Sequence, residues 1–318
     1  MHLSAACPSL QYVSIRIRPI SMFYDLIRKA VKKPFHLLGL DLVRKDESPP
    51  PVEAAPLFDD PLEALCYVQA GKRATFKCPL GEVADRRGYG YVEDEWHPFV
   101  ETLREYGANQ SSCYEDSLLK KYYDTHQPDN AADAYPGFGY APDSFYSYPP
   151  HRYRLLPWSA DTPSEIDKRT EYWTERDNAE HGFPSLTFCS DGNKSHGPVS
   201  LKKGRLEYRR LTSVYDSINQ EGYRKDEGYP HFQVLRRSGD YLFMPVRRKH
   251  RVAAAAALGY DQIPAIYCYS SIRDVGMVEY WPRVRNGEWT QEKSIKYVDH
   301  LFDFESRLWA DKRGLSLT

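Results

Sequence analysis

Apolar residues recur at helical spacing in several separate stretches of the chain. Phe23, Leu26, Ile27, Ala30 and Val31 share one helix face, with Arg28, Lys29, Lys32 and Lys33 opposite. Pro61-Leu62-Glu63-Ala64-Leu65 has the form of a helix start. Phe99, Val100, Leu103 and Tyr106 repeat the pattern within 97–106, and Leu118, Leu119, Tyr122 and Tyr123 within 114–126. A charged helix is expected over 161–181, entered through Thr162-Pro163-Ser164-Glu165. Leu211, Val214, Tyr215 and Ile218 predict a helix over Arg209 to Gln220 that Gly222 stops. Ile295, Val298, Leu301, Phe302, Phe304 and Leu308 form the stripe of a C-terminal helix over Lys293 to Lys312.

Short apolar runs supply the strands. Phe232 to Val234 and Tyr241 to Val246, joined around Ser238-Gly239-Asp240, read as a β-hairpin. Between Tyr241 and Tyr269 a strand is followed by a basic turn, then by the alanine-rich helix Val252 to Leu258. The helix stops at Gly259, and a second strand runs from Ile263 to Tyr269. That order has the look of a compact βαβ-like unit. The fold class is therefore α+β: a small mixed-sheet domain preceded by a mostly helical region and followed by a C-terminal helix.

Composition sets the divisions. Residues 1–21 fit poorly with the rest of the chain. Cys7 after Ser4-Ala5-Ala6 lacks the charged and apolar regions of a signal peptide, and Met22 is the expected start. The basic helix 22–45 either docks on the protein body or lies on an anionic membrane surface. Residues 46–61, acidic and proline-rich, read as a linker. A helical and loop-rich region covers 62–185, the mixed-sheet domain 186–275, and an extension with a helix 276–318. Within the first of these three, 135–158 holds too much Pro and Gly for regular structure, and its aromatic rings either pin a long loop or stack bases. Leu201 to Glu207 reads as a basic turn.

A net charge of −1 argues against bulk binding to nucleic acid or membrane. Six scattered cysteines without a C-x-x-C pair suit an intracellular, cytoplasmic chain, with 22–45 as the segment for any peripheral contact at a membrane's inner face. The charge is unevenly placed: Lys202 to Arg251 holds 13 Lys/Arg and 6 Asp/Glu, about +7. Its focus is Arg247, Arg248, Lys249, His250 and Arg251, where a helix N-terminus would favour a bound anion. His97, Glu101 and Glu105 have the spacing of ligands on one helix face, but no second His or Cys completes a set, and no metal is assigned.

Residues 207–268 resemble the ParB/sulfiredoxin superfamily. The matching features are Asp216-Ser217-Ile218 with Glu221-Gly222, then the hairpin. After it come the turn and helix Arg248-Lys249-His250-Arg251-Val252-Ala253-Ala254, then Leu258-Gly259 and Ile263-Pro264. Residues 22–130 are similar to bacterial proteins that join such a domain to an N-terminal helical region. The resemblance implies that Arg248, Lys249, His250 and Arg251 bind the phosphates of a nucleotide, ATP or CTP with Mg2+. Arg248 stands where the family usually has glycine, and Lys249 where sulfiredoxins carry their reactive cysteine, which argues against sulfinic-acid reduction.

The function expected is a nucleotide-dependent phosphotransferase or hydrolase acting on a small-molecule or protein acceptor. Glu207, then Asp240, are the candidate catalytic carboxylates; a surface ion pair with Arg209 or Arg210 is the plain alternative for Glu207. A non-catalytic nucleotide sensor or partner-binding protein is the second reading, and nucleic-acid binding the third.

Overall fold

Strand β3 (His231–Arg237) is the hub of the sheet. On one side it pairs antiparallel with β4 (Asp240–Arg247) across the two-residue turn Ser238-Gly239. On the other side it pairs parallel with β5 (Gln262–Tyr267) and, further along, with the short β6 (Arg273–Asp274). Beyond β5 lie β2 (Thr75–Pro79), antiparallel to it, and β1 (Leu57–Phe58), parallel to β2. The result is a six-stranded mixed sheet in the order β1-β2-β5-β3-β4, with β6 off that path. The computed structural model describes residues 55–109, 113–268 and 272–316. The expected start at Met22, the basic helix 22–45, most of the linker 46–61 and the strand end Tyr269 lie outside the described residues.

The hairpin falls where the sequence places it. The βαβ-like unit differs from the expectation, because β3 lies between β4 and β5 and the two outer strands run in opposite directions. The sheet also takes strands from both sides of residue 186. Phe76 on β2 stacks on Tyr267 of β5 with ring centroids 4.3 Å apart, and both Phe76 and Cys78 are fully buried. A side chain of that size contributes about 1.5–3 kcal/mol when removed from water, so β2 belongs to the core of the sheet.

Helices α1 (Pro61–Gln69), α2 (Pro98–Ala108) and α3 (Leu118–Thr125) follow the predicted apolar spacing. Helix α4 (Pro163–Glu180) opens with a full capping box between Thr162 and Glu165. Helix α5 (Leu201–Glu221) is longer than expected. Ser200 caps it, and the basic stretch Leu201 to Glu207 is its first turns and not a separate turn. Gly204, which suggests a turn, serves a close approach: a Cβ there would lie 2.0 Å from Tyr114 Oη. Helix α6 (Lys249–Ala257) buries Val252, Ala253, Ala254 and Ala255 completely against α2 and α5. The methyl-sized face lets three helices meet closely.

The expected C-terminal helix is two: α7 (Gln291–Asp303) and α8 (Ser306–Asp311), separated at Phe304-Glu305. Its stripe buries Val298 and Leu301, whereas Ile295 and Leu308 stay exposed. The irregular segment 135–158 is a second core. Tyr135, Phe138, Phe145, Tyr153 and Trp158 pack with Trp281, Trp289 and Tyr297, so its rings pin the chain; Tyr140 and Tyr146 remain exposed. Among the described residues no helix is long and apolar enough to cross a membrane.

Candidate functional site

The turn from β4 into α6 is made by Arg248, which caps the helix in the left-handed conformation at φ 59° and ψ 37°. An L-residue there costs roughly 1–2 kcal/mol. Lys249, His250 and Arg251 then occupy successive helical positions, each turned about 100° from the last. Adjacent helical residues do not face one another, so the basic run that looks like one cluster in sequence divides among three environments.

Arg251 turns toward the 223–228 segment. Its guanidinium pairs with Glu227, donates to the Arg224 carbonyl at 2.6 Å and lies 4.4 Å from the centre of the Tyr223 ring. The guanidinium of Arg248 reaches the same segment, where a Cβ on Gly228 would be 2.6 Å from Nη2. Both guanidinium groups of the expected phosphate-binding set are thus directed at the 223–228 segment. Asp240 is further removed. It sits at the hairpin turn, the opposite end of the eight-residue β4, roughly 23 Å from the start of α6 at about 3.3 Å per residue. It cannot share chemistry with that helix end.

His250 faces α5. Its ring meets Phe99 edge-on at 5.2 Å, and its Nε2 stands 3.6 Å from Glu207 Oε2. Burial pushes the imidazole down to about 3, helped by Lys194 and against the pull of Glu207. Glu207 is fully buried and accepts from Lys203 Nζ at 2.6 Å and Arg210 Nη1 at 2.9 Å. Lys203 also donates to Asn178 Oδ1 at 2.6 Å, and Arg210 to Asp177. Burial alone would raise the carboxyl, but Lys203 and Arg210 outweigh it and hold Glu207 at about 2. A carboxylate so stabilised is a weak base. Glu207 does pair with Arg210, as an interior network and not at the surface.

Lys249 faces a third group, which sequence reasoning missed. Asp85, from the turn after β2, forms a buried pair with Arg87 at 2.7 Å. Arg87 Nη1 also donates to Tyr122 Oη at 2.6 Å and to the Ser195 carbonyl. Tyr153, buried, comes from the 3-10 turn Pro150–Arg154 and lies 3.5 Å, Oη to Oγ, from Ser195. Burial pushes the Lys249 amine down to about 8, with Asp85 and Tyr153 resisting and Arg86 and Arg87 adding to it. For Tyr153 burial acts upward, yet Arg154, Arg87 and Lys249 prevail and bring the phenol down to about 7. The Asp85 carboxyl is held at about 2, burial notwithstanding, by Arg87 and then Lys249. Arg86 Nε and Arg154 Nε are buried donors without a hydrogen-bond partner; His196 Nε2, likewise unpartnered, is an acceptor, since Nδ1 donates to the Gly197 carbonyl at 2.8 Å.

The chain matches no family model, no curated protein and no solved structure.

Arg87 and Lys249 thus both act on the buried carboxylate of Asp85, while Arg154 acts on Tyr153 and Arg86 on Lys249, at a helix N-terminus. Such an arrangement favours an anion, because it relieves repulsion among cations held out of water. No spacing rule joins Asp85-Arg86-Arg87 to Tyr153-Arg154 and Lys249; only the fold does. His97, Glu101 and Glu105 are engaged elsewhere. His97 Nδ1 caps α2 by accepting from Phe99 N at 3.1 Å, Glu101 pairs with Arg104 and with Arg307 at 3.0 Å, and Glu105 accepts from Leu118 N at 2.7 Å. Among the described residues no group of His, Cys, Asp and Glu could hold a metal ion. Much of the positive charge between Lys202 and Arg251 is paired with acids: Arg205 with Glu115, Arg210 with Asp177, Arg236 with Asp274 and Arg237 with Asp303.

Proposed function

We propose that the N-terminal end of α6 binds the phosphate of a nucleotide, ATP or CTP, in a ParB/sulfiredoxin-like domain. The observation that carries this reading is the set of cations at that helix end: Arg87 and Lys249 act on the Asp85 carboxylate, Arg154 and Arg87 on Tyr153, and Arg86 on Lys249. The left-handed backbone of Arg248 supports it too, since this is the position where the superfamily usually has glycine, the residue that adopts that conformation without strain. Lys249 is the phosphate contact in this reading. His250 orients the helix end through Glu207, and Arg251 anchors the turn from behind.

Phosphoryl transfer or hydrolysis would draw on the same cations to stabilise charge on the phosphoryl oxygens. Mg2+ fits these residues poorly: Asp85 and Glu207 are held in buried ion pairs, and Glu227, which meets α6 at Arg251, is paired as well. That favours the second reading, a site that senses a nucleotide without turning it over. Nucleic-acid binding has little left to recommend it, because the charge that suggests it is largely paired.

Calorimetric titration of inorganic phosphate, ATP and CTP, each with Mg2+, into wild type and Lys249→Met tests the proposal. Binding to wild type that weakens at least about tenfold in Lys249→Met is expected, the loss of one charge-assisted contact. Release of diphosphate or phosphate then separates catalysis from sensing. If none of the three ligands binds the wild-type chain, the anion site is wrong.

A further inference from the structure

Helix α7 ends at Asp303 and α8 starts at Ser306, so the chain breaks at Phe304-Glu305. That break, parts of both helices and residues 137–140 of the aromatic segment line a cleft of about 560 Å³. Small-molecule sites run to roughly 300–1,000 Å³. Glycine backbone makes room for its aromatic floor. Phe304 lies against Gly88 and Gly137, where a Cβ would come within 3.0 Å of the ring. The ring of His300 is 4.6 Å from that of Phe304 and 5.2 Å from that of Phe138. Its Nε2 donates to the Arg87 carbonyl at 3.1 Å, which leaves Nδ1 an acceptor without a partner among the described residues. Trp309 lines the cleft too, and its buried Nε1 is a donor for which the protein supplies no acceptor. The floor is aromatic and has unmet polar groups of both kinds.

The rim adds charge of one sign. Asp299 and Asp303 are both engaged by Arg237 of β3, the first at 3.4 Å. Lys296, Lys312 and Glu305 have no side-chain hydrogen bond or ion pair among the described residues. Lys296 Nζ lies 5.8 Å from the centre of the Tyr140 ring, and the Arg313 guanidinium 4.4 Å from that of Trp309. With Arg237 included, Lys296, Lys312 and Arg313 make the balance four cations to the three acids Asp299, Asp303 and Glu305. The cations that no acid engages are the three that line the cleft. A lone surface lysine is ordinary, but three uncommitted cations around an aromatic floor suit a flat ligand with an acidic group. We propose that this cleft binds an aromatic carboxylate, its ring against Phe304, His300 and Trp309 and its carboxylate among the rim cations. A ring N–H on the ligand would donate to His300 Nδ1. The site uses none of the residues assigned to phosphate at the start of α6, so the two readings stand or fall separately.

Calorimetric titration of indole-3-propionate, indole and tryptamine into the full chain provides the test, since the three share a ring and differ in charge. Indole-3-propionate is expected to bind, indole about tenfold more weakly for want of the charge-assisted contact, and tryptamine more weakly still. Lys296→Glu combined with Lys312→Glu changes exposed side chains that have no partner to lose. It should cut the affinity for indole-3-propionate at least tenfold and remove its advantage over tryptamine. Gly139 supplies a second variant: it lines the cleft, and a Cβ there would meet nothing within 4 Å. Gly139→Trp should keep the wild-type urea midpoint, fill the cleft and abolish binding of the acid. The proposal is overturned if indole-3-propionate does not bind or if tryptamine binds as tightly. Binding of the acid that survives unchanged in both variants would place it elsewhere on the chain and overturn the proposal equally.

Discussion

His250 and Glu207 face each other with Nε2 and Oε2 3.6 Å apart, just beyond a hydrogen bond. The carboxylate is already saturated by Lys203 and Arg210, so the neutral imidazole is held against a charge that is neutralised from the other side. This fixes α6 to α5 without making His250 a cation.

Glu207→Gln should therefore act on stability first. It leaves Lys203 buried beside a neutral amide, and removing one partner of a buried pair costs about 3–5 kcal/mol. Lys203→Met combined with Glu207→Leu removes both charges and should recover most of that loss. Urea unfolding of wild type and the two variants checks this. If Glu207→Gln is as stable as wild type, the buried network does not hold the helices together.

Arg251→Ala and Lys249→Met should separate cleanly. Arg251 is bound to Glu227, the Arg224 carbonyl and the Tyr223 face, so its loss should lower stability by about 1–3 kcal/mol, the range for a removed hydrogen-bonded charged partner. Phosphate affinity should stay within about twofold of wild type, because the guanidinium faces away from Lys249. A loss of phosphate binding in Arg251→Ala comparable to that in Lys249→Met would show that the two side chains share one site.

The local elements were legible because each arises from near-neighbour chemistry. Thr162-Pro163-Ser164-Glu165 caps its helix, Gly222 ends one, and Ser238-Gly239 closes the hairpin. What failed was whatever depends on direction or on distant partners. Lys249, His250 and Arg251 are contiguous in sequence yet point at three different surroundings, a consequence of 100° per residue that a charge count ignores. Gly204 looked like a turn because Tyr114, the residue that needs the space, is far off in the chain. Asp85, Tyr153 and Ser195 had no pattern to give them away. Only the fold joins them: Arg87 ties Asp85 to the Ser195 carbonyl, and Tyr153 Oη meets Ser195 Oγ at 3.5 Å.

Arg248→Gly should stabilise the chain. The residue is left-handed, its side chain makes no capping hydrogen bond, and its guanidinium is exposed beside Gly228. Relief of the backbone strain outweighs the extra flexibility of glycine in the unfolded chain by about 1 kcal/mol. Arg248→Val should do the reverse, since a β-branched side chain tolerates that conformation least. A urea midpoint for Arg248→Gly below that of wild type would mean that the arginine side chain holds the turn.

Stability should fall between pH 7.5 and 5.5, sooner than carboxylates alone would dictate. Burial pushes the imidazoles of His97, His126 and His250 down to about 3, and those of His196 and His300 to about 4. A histidine in the unfolded chain takes a proton near pH 6.5, so below that value the unfolded state binds more protons than the folded one, and stability rises with pH. The stabilisation is complete above about pH 6.5 and declines as pH falls toward the folded values. Between pH 7.5 and 5.5 each such histidine contributes about 1.4 kcal/mol of loss. Asp85 and Glu207, both held at about 2, act in a lower window: their stabilisation is present above about pH 4.5 and vanishes only as pH falls through 2. They cannot produce a change between 7.5 and 5.5. Urea midpoints at pH 7.5, 6.5 and 5.5 should drop progressively, and His300→Gln should flatten the slope by one histidine's share. A flat midpoint across that range would mean that these imidazoles accept protons in the folded chain.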